Sequence, residues 1–202
     1  IGSAELMESG LAKPEDCPHF LRRIRQEAER LVALINDIIR LSQLDENTEM
    51  NWENVDALSV AKEALEMVDP IAESRNISLA IKGEPAPLTS VHKLLYDIIY
   101  NLCDNAVKYN KEGGFVKVDV KTAGDKVQVA VSDNGVGIAP ADQSRVFERF
   151  YRVDKSHSRE SGGTGLGLSI VKHAVAYLKG SISLESTLGK GTTITVSFPA
   201  EK

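Results

Sequence analysis

Asn101 and Asn105 stand four residues apart, with Lys108 three residues further on. On a helix that spacing puts both amides on one face, one turn from each other, with the ammonium following. Asparagine costs helix propensity relative to alanine, so two in register suggest oxygen ligands for a hard cation beside a phosphate. Mg²⁺ suits such a place because it takes few protein ligands and completes its shell with phosphate oxygens and water. Taken alone, the stripe reads as a solvated polar face. A second constellation, Asp133-Asn134-Gly135-Val136-Gly137-Ile138, follows the apolar run Val127–Val131. A carboxylate at a strand end can accept a hydrogen bond from an exocyclic amine such as that of adenine. The two glycines allow a sharp turn and close approach of a ligand, although an ordinary strand-to-loop turn has the same composition.

The third constellation is Gly162-Gly163-Thr164-Gly165-Leu166-Gly167-Leu168-Ser169, which runs into an apolar helix. Glycine-rich backbone at a helix N-terminus offers N–H groups and the positive dipole end to phosphate. A dinucleotide fingerprint would need glycine where Leu168 stands, and no P-loop spacing occurs, at Gly189-Lys190-Gly191 included. The fourth is Arg145-Val146-Phe147-Glu148-Arg149-Phe150-Tyr151-Arg152, continued by a polar stretch to Ser161. Its aromatics could pin one end of a mobile lid while its arginines reach phosphates. Taken one by one, Lys155, His157 and Arg159 read as a solvated loop.

These residues need elements to hold them. The apolar positions Val91, Leu95, Ile98, Ile99, Leu102 and Ala106 predict a helix over 91–109, with Asp97, Asn101, Asp104, Asn105 and Lys108 as the stripe beside its buried face. Strands are expected over 51–56, 77–82, 115–122, 126–132, 181–186 and 192–198, and helices over 58–75 and 164–178. Pro85 and Pro87 mark a loop. Strands followed by helices, closed by a hairpin, predict an α+β fold with helices layered on a mixed sheet. The first third is different. Leu21, Ile24, Ala28, Leu31, Ile35 and Ile38 form a heptad seam, and Val32, Leu34, Ile39, Leu41 and Leu44 widen it. Such a helix wants partners on more than one side, as in a four-helix bundle. It would start near Pro14–Asp16, after the end of another helix at Ala4–Met7 that stops at Gly10.

Bulk properties narrow the classes further. The 202 residues are 42% hydrophobic and 26% charged, which is the balance of a soluble globular chain. A net charge of -5 and a pI near 5.5 argue against nucleic acid as a partner. Cys17 and Cys103 show no metal or redox spacing and suit free thiols in a reducing cytosol. No apolar run approaches the roughly 18 residues of a membrane span.

The order of the four constellations is more telling than any one of them. Asn-x3-Asn-x2-Lys-Tyr, Asp-x-Gly-x-Gly, Phe-x2-Phe-Tyr-Arg and Gly-Thr-Gly-Leu-Gly-Leu resemble the N, G1, F and G2 boxes of two-component sensor histidine kinases. Asp37–Asp45 likewise resembles the second helix of their dimerisation domain, and the likeness is nearest to membrane kinases related to phosphate sensors. It implies the ATP fold of gyrase and the large heat-shock chaperone over 48–202, and a partial dimerisation region over 1–47.

Carried over by position, the resemblance makes Asn105 the Mg²⁺ ligand, with Asn101 a turn before it and Lys108 and Tyr109 near the phosphates. It gives Asp133 the adenine amine, with Gly135 and Gly137 shaping that recess. Tyr151 and Arg152 fall to the nucleotide, Arg152 at its phosphates, and Gly163, Gly165, Leu166, Gly167 and Leu168 wrap them. Asn101, Lys108 and Arg152 are the implied catalytic set. Hydrolytic relatives hold a glutamate base at the position of Asn101; an amide cannot activate water, so transfer to histidine fits better than ATP hydrolysis.

The family's Ser-His-Glu acceptor box should precede Ile1–Gly10. His19, His92, His157 and His173 do not match it, so the chain is expected to bind Mg-ATP without phosphorylating itself at that site. A homodimer, a response-regulator receiver domain as partner and a cytoplasmic location beneath a membrane-anchored parent are further implications. The rival readings are an ATPase of the same fold and a nucleotide-binding scaffold without catalysis.

Overall fold

The computed structural model describes residues 2–10, 13–45, 50–153 and 164–200. Two helices come first, α1 (Gly2–Glu8) and α2 (Cys17–Asp45). There follow β1 (Glu53–Asp56), α3 (Ala57–Ser74), β2 (Ser78–Gly83), β3 (Pro87–Ser90) and α4 (His92–Lys108). The chain then runs through β4 (Phe115–Ala123), β5 (Lys126–Asp133), α5 (Pro140–Gln143), α6 (Gly167–Tyr177), β6 (Ser181–Thr187) and β7 (Gly191–Pro199). The main sheet has the order β2-β4-β5-β7-β6, with β2 and β4 parallel and the other pairs antiparallel. It is the expected mixed sheet.

Period-two patterning makes this sheet one-sided. Val116, Val118 and Val120 on β4, Val127, Val129 and Val131 on β5, and Ile194, Val196 and Phe198 on β7 are all buried. The intervening Lys117, Asp119, Lys121 and Gln128 face away, as alternation requires. The buried face is covered by α3, α4 and α6, whose apolar stripes join it in one core. All six apolar positions expected to bury α4 do so, Leu95, Ile98 and Ile99 completely. Asp56 starts α3 by accepting from the N–H groups of Leu58 and Ser59, and it also accepts from Ala86 N–H at 2.7 Å.

Three local expectations need correction. The proline-marked loop contains β3, which pairs antiparallel with β1 and buries Leu88. Pro87 is tolerated because it is the first residue of an edge strand. The short α5 is additional, and α6 starts at Gly167 rather than Thr164, since Gly165 adopts φ +75°. Finally, Asp97 is no part of a solvated stripe: it is buried, 7% exposed, beneath α2.

The long helix α2 has two kinds of apolar residue. Leu41 is buried with Leu166 and Ile170 of the G2 segment and α6, and Leu34 packs beside them. Its C-terminal part therefore docks on the sheet domain. Leu21, Leu31, Val32, Ile35, Ile38 and Ile39 stay exposed, at 47% or more. Among the described residues no helix is long and apolar enough to cross a membrane.

Candidate functional site

The helix α4 carries Asn101 and Asn105 on the side facing the start of α6. Asn101 Nδ2 donates to the Asp97 carbonyl at 2.7 Å. That bond fixes the amide and leaves its oxygen toward α6. A side-chain carbon placed on Gly167, the first residue of α6, would lie 3.0 Å from Asn101 Oδ1 and 3.8 Å from Asn105 Nδ2. Glycine there lets a helix N-terminus lie directly on the two amides. Lys108 donates to Asp104 Oδ2 at 2.7 Å, an i,i+4 pair within α4. Tyr109 caps α4 and is 47% exposed.

The far end of α4 meets the loop after β5. Val136 N–H donates to the Tyr109 carbonyl at 3.1 Å, and a Cβ on Gly135 would come within 2.3 Å of the same oxygen. Asp133 Oδ1 accepts from Gly135 N–H at 2.8 Å. Burial raises the Asp133 carboxyl above the ordinary carboxylate range, and N–H groups of Gly135 and Thr192 oppose that rise. Gly137 is left-handed at φ +66° and lies against the Thr187 carbonyl. Ile138 N–H donates to Ser186 Oγ at 2.8 Å, while the Gln143 amide bridges the carbonyls of Ile138 and Ser186 at 3.0 Å each. The loop is thereby clamped between α4, α5 and the β6–β7 hairpin.

The arginine-rich segment meets the glycine-rich one. Phe150 N–H donates to the Gly165 carbonyl at 3.0 Å, and Arg152 Cγ lies 3.3 Å from the Cβ position of Gly165. Phe150 itself has φ +64°. Tyr151 turns toward α5: its hydroxyl donates to Asp142 Oδ1 at 2.5 Å, and the Arg145 guanidinium lies 4.2 Å from its ring centroid. An open recess of about 420 Å³ is lined by Arg145, Arg149, Arg152, Tyr151, Phe150 and Glu148. Leu166 is fully buried and Leu168 packs at the edge of the main core. From residue 154 on, the polar stretch up to Ser161 expected to form a lid, with Lys155, His157 and Arg159, lies outside the described residues, as do Gly162 and Gly163.

Further contacts that sequence spacing does not specify hold these junctions together. Asn134 Oδ1 accepts from Phe115 N–H at 2.7 Å, tying the Asp133 loop to the start of β4. Thr164 Oγ1 donates to Asp37 Oδ2 at 2.8 Å, and Arg40 Nη1 lies 3.7 Å from Asp97 Oδ1. Burial raises the Asp97 carboxyl, while Arg40 and Lys93 oppose the rise. Asn134 could have been suspected from its place between Asp133 and Gly135; Asp37, Arg40 and Asp97 carry no local signal, because their partners are far off in sequence.

Metal-type acid clusters do not occur among the described residues. The arrangement is instead three junctions: an amide pair under a glycine-led helix start, a half-buried carboxylate under a glycine loop, and arginines beside a second glycine. A family model described as histidine kinase-, DNA gyrase B-, and HSP90-like ATPase matches residues 90–202. The chain is 38% identical over 205 residues to the sensor-like histidine kinase SenX3 of Mycolicibacterium smegmatis, covering 98% of this chain and 53% of that protein. The structure of full-length ShkA in complex with AMPPNP is similar at TM-score 0.80 and 26% identity, over 94% of this chain and 40% of that one. The histidine kinase ThkA, solved in complex with the response regulator protein TrrA, is alike in fold at TM-score 0.79 and 20% identity, over 99% of this chain and 56% of that one. The chain spans about half the length of the curated relatives it matches. It belongs to the histidine kinase-, DNA gyrase B- and HSP90-like ATPase family, and the curated relatives it resembles are sensor histidine kinases.

Proposed function

We propose that residues 48–202 bind Mg-ATP and transfer its γ-phosphate to a histidine on a dimerisation helix, from which a response regulator takes it. The observation that carries this reading is the seating of Gly167, at the start of α6, on the Asn101 and Asn105 amides. A helix N-terminus attracts phosphate, and amide oxygens beside it suit a hard cation that shares its shell with phosphate. Asn105 would hold Mg²⁺, which neutralises phosphate charge when bound.

In this reading Asp133 accepts from the adenine amine, with Gly135 and Gly137 leaving room for the ring. Lys108 exchanges its Asp104 partner for a phosphate oxygen, and Arg152, beside Gly165, approaches the same group with Tyr109 and Tyr151 at the rim. Asn101 offers no base for water, so the phosphoryl group is directed to an imidazole instead of being hydrolysed.

The test is labelling in trans. The chain is incubated with radiolabelled Mg-ATP and a separate dimerisation domain that carries the acceptor histidine. Label on that domain, acid-labile and absent with an Asn105→Ala variant, is expected. Phosphate release without label would favour the ATPase, and binding without either would favour a scaffold.

We also infer that residues 1–47 belong to a dimerisation region and that α2 pairs with a second copy. The exposed row Leu31, Ile35, Ile38 and Ile39 supports this, since charged partners would leave it wet. Sedimentation equilibrium should give a dimer whose dissociation constant rises at least about tenfold for Ile35→Glu, because a buried unpaired charge costs far more than a lost methyl contact. A monomer at all concentrations sinks this part. A cytoplasmic location and a receiver-domain partner are proposed on the kinase reading; the ThkA–TrrA complex, of like fold, is in line with the partner.

A further inference from the structure

Arg75 lies outside every box, at the C-cap of α3, yet its half-buried side chain is committed to the end of α4. Nη1 donates to the carbonyls of Val107 at 2.5 Å and Lys108 at 3.0 Å, and Nη2 donates to the Asn110 carbonyl at 2.7 Å. Its own carbonyl accepts from Gly113 N–H at 3.3 Å. The last carbonyls of a helix lack intrahelical partners and concentrate the negative end of its dipole. One guanidinium with fixed, planar donors satisfies three carbonyls at that terminus, which an ammonium could not do in the same geometry.

The clamped turn is the one on which the nucleotide loop rests. Between the clamped carbonyls of Lys108 and Asn110 lies that of Tyr109, the acceptor for Val136 N–H. Gly135 sits on the same oxygen with no room for a Cβ, and Asp133 holds Gly135 N–H. A second path runs through the buried Asn110, whose Nδ2 donates to the Phe115 carbonyl at 2.9 Å; Phe115 N–H in turn donates to Asn134 Oδ1. Both paths run from the Arg75 guanidinium to the two residues that follow Asp133. The backbone of Lys108 is held by the same donor.

We propose that Arg75 is a positioning residue for the nucleotide: it fixes the α4 terminus against which the Asp133–Gly137 loop takes its register. The inference rests on the assignment of Asp133 to the adenine amine. Arg75 touches no reacting atom and acts only through Tyr109, Asn110 and Asn134.

The test compares the unmodified chain with Arg75→Met and Arg75→Lys, at a temperature well below each melting midpoint. Calorimetry measures affinity for adenosine, ADP and GDP. Arg75→Met is expected to weaken adenosine binding roughly fivefold or more, since several charge-assisted hydrogen bonds anchor the loop. The preference for ADP over GDP should shrink with it. Arg75→Lys should recover part of both, because an ammonium still reaches one or two of the carbonyls. Unchanged adenosine affinity and unchanged base preference in a folded variant, with only the melting midpoint lowered, would reduce Arg75 to a structural cap and overturn the proposal. Should Arg75→Met fail to fold, Arg75→Lys decides by the same two readouts. If the unmodified chain prefers GDP or binds neither diphosphate, the assignment of Asp133 falls first and takes this inference with it.

Discussion

Replacing Asp133 by asparagine is expected to weaken binding of a non-hydrolysable ATP analogue roughly 10–100-fold, the range set by losing one charge-assisted hydrogen bond. The effect is this large because the site offers little substitute. Asp133 is half-buried, its Oδ1 is already engaged by Gly135 N–H, and the neighbouring Thr192 N–H also points at the carboxylate. An asparagine keeps the acceptor oxygen but must aim two N–H groups at either another N–H or the adenine amine, so one donor is left facing a donor. Burial holds the carboxyl protonated to a higher pH than an ordinary aspartate. For a folded-state value raised in this way, stability is greatest below the unfolded value and declines as pH rises through the folded one. Asp133 therefore costs stability at neutral pH in exchange for a charged acceptor. Nucleotide affinity has the opposite slope: it falls on acidification through that raised value. Calorimetry at several pH values checks both, taking the Asp133→Asn variant as the reference for titration of the nucleotide itself. A parent whose affinity follows the variant's pH dependence would separate Asp133 from the base.

Much of the fold is legible in the residues because its signals are local. The valines of β4 and β5 alternate over a single turn at Ala123-Gly124-Asp125, and the α4 stripe keeps its period for five turns, so both were readable without tertiary knowledge. The strand β3 was not. Its sequence carries Pro87 and follows Pro85, and what makes it a strand is β1, more than thirty residues earlier, pairing with it. Asp97 shows the same limit at the site. Its place on the α4 wheel suits a wet stripe, and only the docking of α2 through Leu41 and Arg40 buries it.

The boxes themselves were findable because the chemistry demands particular types at short spacing. The residues that hold the boxes in register are another matter. Arg75 and Asn110 work through backbone carbonyls, which every residue supplies, so nothing in the pattern announces them, and Asn134 is marked only by its place between Asp133 and Gly135. Their partners are specified by topology: α3 must end beside the last turn of α4, and β4 must start beside the end of β5. Sequence spacing thus reveals the groups proposed to meet the nucleotide, while the groups that hold their elements together emerge only when the sheet is assembled.

Gly137→Ala is expected to destabilise the domain by roughly 2–5 kcal/mol and to abolish measurable nucleotide binding, the sum of left-handed backbone strain and overpacking. At φ +66° an alanine is strained wherever it stands. Here its Cβ would also lie 2.1 Å from the Thr187 carbonyl oxygen and 3.1 Å from Leu188 Cα, both backbone atoms of the β6–β7 hairpin. The hairpin cannot simply retreat. Gly189 N–H donates to the Val136 carbonyl at 2.7 Å, and Ser186 Oγ accepts from Ile138 N–H while donating to the Gly191 carbonyl at 2.9 Å. Moving it away from Gly137 breaks the bonds that fix the loop after Asp133, so stability and binding should fall together. Gly189 supplies the control. It has φ +78°, yet a Cβ there meets nothing within 4 Å. Gly189→Ala should therefore cost only the conformational part, about 1 kcal/mol, and leave binding within about twofold. Denaturant titration and calorimetry on the pair measure the difference directly. Equal losses for the two variants would show that the hairpin yields, and that the clamp between it and the nucleotide loop is looser than its hydrogen bonds imply.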